Sequence, residues 1–284
     1  MMRGMFSAIS GLKQHQVMLD VTANDISNVN TIGYKSARVT FQDSLNQLQR
    51  GAAGANNTTG GSNPSQVGLG VGLGSIDNLM SGGTRQTTGN ALDVSIEGEG
   101  FFQIAEGKPT AANSPLTPTS YTRAGNFSVS NEGYLTTASG QYVVGYQMDQ
   151  NTNQPINTEV AVKVPNGATG VAIDSSGGVS WVDGNTGTRV TGYRLTIATF
   201  SNASGLERNG GNSWTTSANS GQKIVNTPGQ GGAGTTWGGT LEMSNVDLSQ
   251  TFTNMITAQR GFQANSRVIS TADEMLQDLV NLKR

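Results

Sequence analysis

The sequence predicts an α+β protein, with an α-helix at each end of the chain and a central β-rich domain between them. Apolar residues recur at alternating steps of three and four only near the two termini. The region between them holds short runs of alternating apolar and polar residues, separated by Gly, Asn and Asp. The composition favours many turns, since 39 of the 284 residues are glycine and only 13% are charged.

The N-terminal helix is predicted from a heptad pattern that is interrupted only by Gln16. A turn containing Asn28, Asn30 and Gly33 follows the pattern, and Asn and Gly suit it because they tolerate left-handed backbone conformations. We call the apolar stripe of each terminal helix its seam. The N-terminal seam consists of Met5, Ile9, Leu12, Leu19, Ala23 and Ile26.

The C-terminal helix is predicted to run from Leu248 to Leu282, with Asp247 as its N-cap and Gln250 completing a capping box. A single Asn interrupts its seam, and such an Asn often fixes the register of paired helices. The C-terminal seam consists of Met255, Ala258, Phe262, Asn265, Ile269, Ala272, Leu276 and Leu279. We expect the two seams to serve self-assembly, because no other helix is predicted; ordinary core faces of a helical bundle are the alternative.

The middle of the chain predicts short strands joined by turns. The stretch LDVSIEGEGFFQI predicts a strand, a turn and a strand, and Asn131–Gly133 predicts a hairpin turn. The Gly-rich segments 50–75 and 208–240 resemble flexible linkers, although Trp214 and Trp237 indicate that part of the second one packs onto something. The expected core of this domain consists of Phe101, Phe102, Phe127, Leu195, Ile197 and Phe200.

These elements predict a three-part organisation. Residues 1–33 and 245–284 should form a helical inner domain, residues 34–75 an extended linker or loop region, and residues 76–244 the β-rich domain.

Composition and motifs argue against catalysis and against cofactor or metal binding. The net charge of −2 predicts no nucleic-acid partner, and the lack of cysteine removes thiolate chemistry. His15 is the single histidine and is expected on a solvated helix face. The stretch GLGVGLGS lacks the glycine spacing of a dinucleotide site, and DQNTNQPINTEV lacks the Gly and Glu of a calcium loop. No apolar run is long enough for insertion into a membrane.

Both ends of the chain resemble the bacterial flagellar axial proteins, which are the rod and hook subunits. The hallmarks are the N-terminal heptad helix, its Asn-rich turn and Gly33-Tyr34-Lys35, and the Ser-Asn-Val-Asp sequence before the C-terminal helix. The stretches LDVSIEGEGFFQI and YTRAGNFSVSNEGYL are also similar to this family. Within the family, QVGLGVGLGSID and the ending DLVNLKR look more like the hook subunit, while the chain length keeps the distal rod protein as the alternative.

The resemblance implies a structural subunit whose terminal helices pair inside a tubular polymer. It implies a flexible universal joint between rod and filament, located outside the cell in the flagellum, and export by the flagellar type III apparatus. Met5 and Ile9 match the spacing of a short export element, and they are also the first two seam positions. The implied partners are further copies of the chain, the distal rod protein, the hook–filament junction protein, the hook cap protein and the type III export gate.

Two functions of other classes compete with this interpretation. A surface adhesin with a coiled-coil stalk would be expected to carry a signal peptide, which the N-terminal sequence does not resemble. A β-rich glycan hydrolase fused to an axial subunit would need an additional domain with a clustered acid pair, and 284 residues leave little room for one.

Overall fold

The computed structural model describes residues 2–55, 60–109, 114–149, 154–184 and 187–282, and it has the predicted α+β architecture. It divides into two compact units. The helical unit comprises Met1–Ser27, Ala37–Asn78 and Asp247–Arg284. The β unit comprises Asn28–Ser36 and Leu79–Val246. The Asn-rich turn therefore belongs to the β unit, although the expected division assigned it to the helical domain.

The helical unit contains both terminal helices, α1 (Met2–Ser27) and α2 (Leu248–Asn281). The Asp247 carboxylate caps α2 as predicted, because it accepts hydrogen bonds from the backbone N–H groups of Ser249 and Gln250 at 2.8 and 3.2 Å. The predicted capping box is not completed. The side chain of Gln250 instead donates to Asn254 Oδ1, one turn further along α2.

A long β-hairpin makes up the rest of the helical unit, where an extended linker was expected. Its strands are β1 (Ala37–Asp43), β2 (Asn46–Arg50), β3 (Ser65–Gly68) and β4 (Val71–Asn78). Strand β1 pairs with β4 and β2 pairs with β3, both antiparallel. The alternation of glycine with Val and Leu at the end of the segment 50–75 predicts an extended conformation, and β3 and β4 lie there.

The hairpin packs on α1. The ring of Phe41 meets the ring of His15 edge-on, with their centroids 5.8 Å apart, and Val71 N–H donates to Ser10 Oγ at 3.2 Å. His15 is therefore half-buried, and the expectation of a solvated histidine was wrong. The helical periodicity could not indicate this contact, because the partner Phe41 lies outside the helical pattern.

The β unit is built from short strands. They are β5 (Arg85–Thr87), β6 (Val94–Glu97), β7 (Phe101–Ala105), β8 (Ser120–Thr122), β9 (Ser128–Val129), β10 (Leu135–Thr136), β11 (Tyr142–Met148), β12 (Pro155–Ala161), β13 (Thr169–Ile173), β14 (Gly178–Val182), β15 (Arg189–Leu195), β16 (Ile197–Thr199), β17 (Glu207–Gly210), β18 (Ser213–Thr215), β19 (Ile224–Asn226), β20 (Thr235–Gly238) and β21 (Thr240–Glu242). A short 3-10 helix, Ala203–Gly205, follows β16.

Among the described residues, thirteen of these strands form one sheet with the order β13-β14-β15-β11-β7-β8-β18-β17 and side branches at β7 and β11. All its pairings are antiparallel. The predicted turn at 131–133 joins β9 to β10. The predicted strand–turn–strand at LDVSIEGEGFFQI gives β6 and β7, which pair with other strands rather than with each other. Two short pairs, β6–β20 and β5–β21, complete the unit.

The core of the β unit confirms most of the sequence prediction. Phe200 is only partly buried, whereas the other five predicted core residues are at most 3% exposed. The five buried residues are Phe101, Phe102, Phe127, Leu195 and Ile197.

The Gly-rich segment 208–240 contains strands β18, β19 and β20. Within it, Trp214 is buried, and Trp237 is about half exposed beneath the Arg85 guanidinium.

Candidate assembly site

Helices α1 and α2 pack against each other in antiparallel fashion. Gly11 lies against Asn265, and His15, one turn later on α1, lies against Gly261, one turn earlier on α2. The most buried residues of α1 are small or polar: Ala8, Gly11, Thr22 and Asp25. These residues form the most buried line of α1, and at Gly11 the absence of a side chain lets Asn265 of α2 approach closely.

The most buried line of α1 is one residue away from the predicted seam. The prediction followed the large apolar side chains, but the buried positions at Ala8, Gly11, Thr22 and Asp25 each precede a seam position. The large side chains flank this buried line instead of forming it. Met5, Leu12, Leu19 and Ile26 are half-buried, and Ile9 and Ala23 are exposed.

On α2 the predicted seam coincides with the buried face. Ala258 is fully buried and Ala272 is 6% exposed. Five further seam residues are half-buried, and the side chain of Leu279 lies outside the described residues. The half-buried residues are Met255, Phe262, Asn265, Ile269 and Leu276.

The helical unit also exposes large apolar side chains that the helix pair and hairpin leave uncovered. Phe6 on α1 is 63% exposed, Phe252 and Ile256 on α2 are 49% and 51% exposed, and Leu45 in the hairpin is 77% exposed. Where such side chains form a contiguous patch, the patch usually marks a surface that another molecule covers. These residues were not predicted as site residues, because the heptad pattern assigns only one apolar stripe to each helix.

The motif Gly33-Tyr34-Lys35 is anchored within the β unit by a buried ion cluster, which consists of Lys35, Arg123 and Glu242. Lys35 Nζ donates to Glu242 Oε1 at 2.6 Å, and an Arg123 guanidinium nitrogen donates to Glu242 Oε2 at 3.1 Å. Each of the three side chains is at most 2% exposed. Gly33 has φ of +68°, and a Cβ there would lie 2.7 Å from the backbone nitrogen of Ala124, so this turn requires glycine.

The motif Ser-Asn-Val-Asp meets the same segment through Asn245. Its side-chain oxygen accepts from Ser36 N–H at 2.7 Å, and its amide nitrogen donates to the carbonyl oxygens of Leu79 and Ser81 at 2.9 and 3.1 Å. Asn245 therefore ties together three chain segments that are far apart in sequence. The two sequence motifs are neighbours in the fold, which neither motif indicated alone.

The titration behaviour of the ion cluster follows from its burial and its charges. Burial by itself would raise the pKa of Glu242, but the charges of Arg123 and Lys35, with hydrogen bonds from Lys35 and Gly83 N–H, outweigh burial and hold that pKa below its ordinary value of 4.5. Burial lowers the pKa of Lys35, and the attraction of Glu242 opposes this only in part. The cluster is thus held together by an ionised Glu242.

We expect acid to destabilise the β unit through Glu242. Because its pKa is lower in the folded than in the unfolded chain, its contribution is complete above pH 4.5 and is lost as the pH falls through the folded pKa. Urea unfolding between about pH 6 and pH 2.5 should show stability falling below the ordinary carboxyl pKa. The Glu242→Gln variant is the control, and a fall just as steep in that variant would assign the effect to other carboxylates.

The described residues combine buried anchoring contacts with exposed apolar side chains. Within the described residues, no group of three or more His, Asp or Glu side chains could hold a metal ion. No helix in the described part of the chain combines the length and apolar character needed to cross a membrane. What the fold offers instead is a paired helical unit with exposed apolar side chains and a β unit that is locked to the Asn-rich turn. Exposed apolar surface of this kind is typical of proteins that associate with other chains.

Comparisons with known proteins identify the family. Three family models match: "Flagella basal body rod protein" over residues 5–35, "Flagellar hook protein FlgE/F/G D1 domain" over 95–181, and "Flagellar basal body rod FlgEFG protein C-terminal" over 238–282. The first and last cover the two terminal motifs, and the second covers much of the β unit.

Relatives match over the full length. The chain is 46% identical to the flagellar basal-body rod protein FlgG of Bacillus subtilis over 285 residues, covering all of both chains. It is 36% identical to FlgG of Caulobacter vibrioides, covering 99% of this chain and all of the relative. The flagellar hook protein FlgE of Borreliella burgdorferi is 27% identical, with both chains covered completely. The chain belongs to the FlgE/F/G family of flagellar rod and hook proteins, and it is a structural protein of the flagellum rather than an enzyme.

Proposed function

We propose that this chain is a subunit of the distal flagellar rod and assembles with copies of itself. The main support for this proposal is that the chain aligns with the rod relatives along its whole length without long insertions or deletions. The alignment with FlgG of Bacillus subtilis spans 285 positions for a chain of 284 residues, so the two sequences correspond almost residue by residue. The sequence motifs favoured the hook subunit first, with the distal rod protein as the alternative, and the comparisons favour the alternative.

The hook relatives support the hook interpretation less well. Their alignments run over 450 and 472 positions, so these relatives contain long segments that have no counterpart in this chain. Their identity of 27% is also lower than that of the rod relatives. The hook subunit remains the second candidate, because the hook relatives still match both ends of the chain. The hook cap and hook–filament junction proteins would be partners only in that case.

Self-assembly is supported by the apolar surface of the helical unit. Burial of apolar area contributes about 25 cal/mol per Å², so covering side chains as exposed as Phe6, Phe252 and Leu45 would favour association. We propose that the seam residues hold α1 and α2 together and that the exposed apolar residues beside them meet neighbouring copies. Half-buried seam residues such as Ile269 and Phe262 keep surface that a neighbour can also cover.

Export and location belong to the same proposal. We propose that the chain lies outside the cell in the flagellum, delivered by the flagellar type III apparatus, with Met5 and Ile9 as the candidate export element. Met5 is half-buried and Ile9 is 37% exposed in folded α1. An export apparatus that reads an unfolded chain would reach both side chains equally.

Deletion of the gene in its own host tests the proposal. Basal bodies purified from the deletion strain and viewed by electron microscopy should show an incomplete rod without a hook, and a plasmid copy should restore both. A complete rod that lacks only the hook would favour the hook interpretation. A normal rod and hook would overturn both assignments.

A further inference from the structure

Two contacts between α1 and α2 have an unusual composition. In each, a glycine of one helix lies under a polar side chain of the other. A Cβ on Gly11 would lie 2.8 Å from Asn265 Nδ2, and a Cβ on Gly261 would lie 2.5 Å from two atoms of the His15 ring. The contacts are reciprocal, because each helix supplies one glycine and one polar side chain.

Glycine is otherwise unfavourable inside a helix, since it has a lower helix propensity than alanine. Gly4, which also lies in α1, shows what a glycine without such a contact looks like, because a Cβ added there would have nothing within 4 Å. At Gly11 and Gly261 the opposing side chain would have to move before any larger residue could fit. Each glycine is therefore matched to one particular side chain on the other helix, Gly11 to Asn265 and Gly261 to His15.

The apolar residues of the seams do not select one register. The α2 seam repeats every seven residues, so sliding α2 along α1 by one heptad again places apolar side chains opposite each other. Such a slip would shift the helices by about 10 Å relative to each other. It would also move every exposed apolar side chain of α2 by the same distance, so copies in different registers would present different surfaces.

The polar contacts distinguish these registers. In one slip, His15 would face Asn254 and in the other Val268, and in neither case a glycine. Asn265 would face Met18 in one slip but Gly4 in the other, so its contact excludes only one of them. Both contacts together leave a single register.

We infer that the contacts of His15 with Gly261 and of Asn265 with Gly11 set the register of the α1–α2 pair. The apolar seam residues stabilise the pair, but they do not determine its register. This role of Asn265 extends the general expectation for an Asn in a seam, while His15 acquires a role that its sequence position did not indicate.

A distance measurement between spin labels tests the register directly. The chain has no cysteine, so Asp20→Cys on α1 and Ser270→Cys on α2, both at exposed positions, direct labels to these two sites alone. We expect a single distance in the labelled full chain. In the His15→Leu/Asn265→Leu variant, which makes both glycine contacts apolar, a second population should appear whose axial separation differs by about 10 Å.

The matched control is Gln16→Leu/Gln263→Leu, which adds two leucines at exposed positions of the same helices. It should keep the single distance. A single unchanged distance in His15→Leu/Asn265→Leu would overturn the inference, and so would multiple distances in the labelled chain without further substitutions.

A second set of variants covers the case in which the leucine variant does not fold. Gly261→Ala should lower hydrogen-exchange protection of the amides in α1 and α2 about tenfold or more, because the new methyl group displaces the His15 ring. Adding His15→Ala should restore most of that protection, and Gly4→Ala should cause no loss. Wild-type protection in Gly261→Ala, or no recovery in the double variant, would contradict the inference.

Discussion

The Glu242→Gln variant should lose about 3–5 kcal/mol of the free energy of unfolding of the β unit. Glutamine keeps the size of the side chain but removes the only anion of the ion cluster. Arg123 would then remain buried without a counter-charge among the three, and Lys35, whose pKa burial already lowers, would either share that penalty or lose its proton. Since folded domains are stable by only about 5–15 kcal/mol, this loss would leave the β unit marginally stable.

The measurement is urea unfolding followed by tryptophan fluorescence. All three tryptophans, Trp181, Trp214 and Trp237, lie in the β unit, so their emission reports this unit and not the helices. The matched control is Glu97→Gln, which removes an acidic partner of similar geometry, 3.1 Å from Arg85, but at the surface. Its expected cost is about 0–1 kcal/mol. Equal effects of the two substitutions would show that burial of the ion cluster contributes nothing.

Sequence alone predicted what depends on local periodicity. Both helices were placed within a few residues, because each heptad pattern has a single polar interruption and Asp247 marks the start of α2. Strands such as β9 and β10 were predicted because Asn131–Gly133 marks the turn between them. The pairing of β6 with β20 could not be predicted, because the spacing along the chain carries no information about such distant partners.

The ion cluster shows why the anchoring of the Asn-rich turn was missed. Lys35 and Glu242 are 207 residues apart in sequence, and each is an ordinary charged residue in its local context. The motif around Lys35 indicated a family, but it did not indicate which residue the charge of Lys35 would pair with. The phase of α1 was missed for another reason: sequence patterns weight large apolar side chains, whereas the most buried line of α1 is made by small or polar residues such as Ala8 and Gly11.

The Ile269→Asp variant should abolish polymerisation while leaving the β unit folded. Ile269 is half-buried on the face of α2 that packs within the helical unit. An unpaired charge that becomes fully buried costs several kcal/mol. In the isolated chain only part of this cost arises, because water still reaches the side chain. In a polymer in which a neighbouring copy covers the same surface, the full cost would recur at every subunit.

Three measurements separate the possible effects of this substitution. Electron microscopy of basal bodies and motility in soft agar report assembly, and tryptophan fluorescence reports the β unit, whose unfolding curve should not change. Gln263→Asp is the matched control, because it adds the same charge at an exposed position of α2 that lies between Arg260 and Arg267 in sequence. It should assemble normally. If Ile269→Asp also assembled normally, the seam would not contribute to the assembly surface. If it unfolded the β unit, then the two units would not be independent, and the exposed apolar residues of the helical unit would need another explanation.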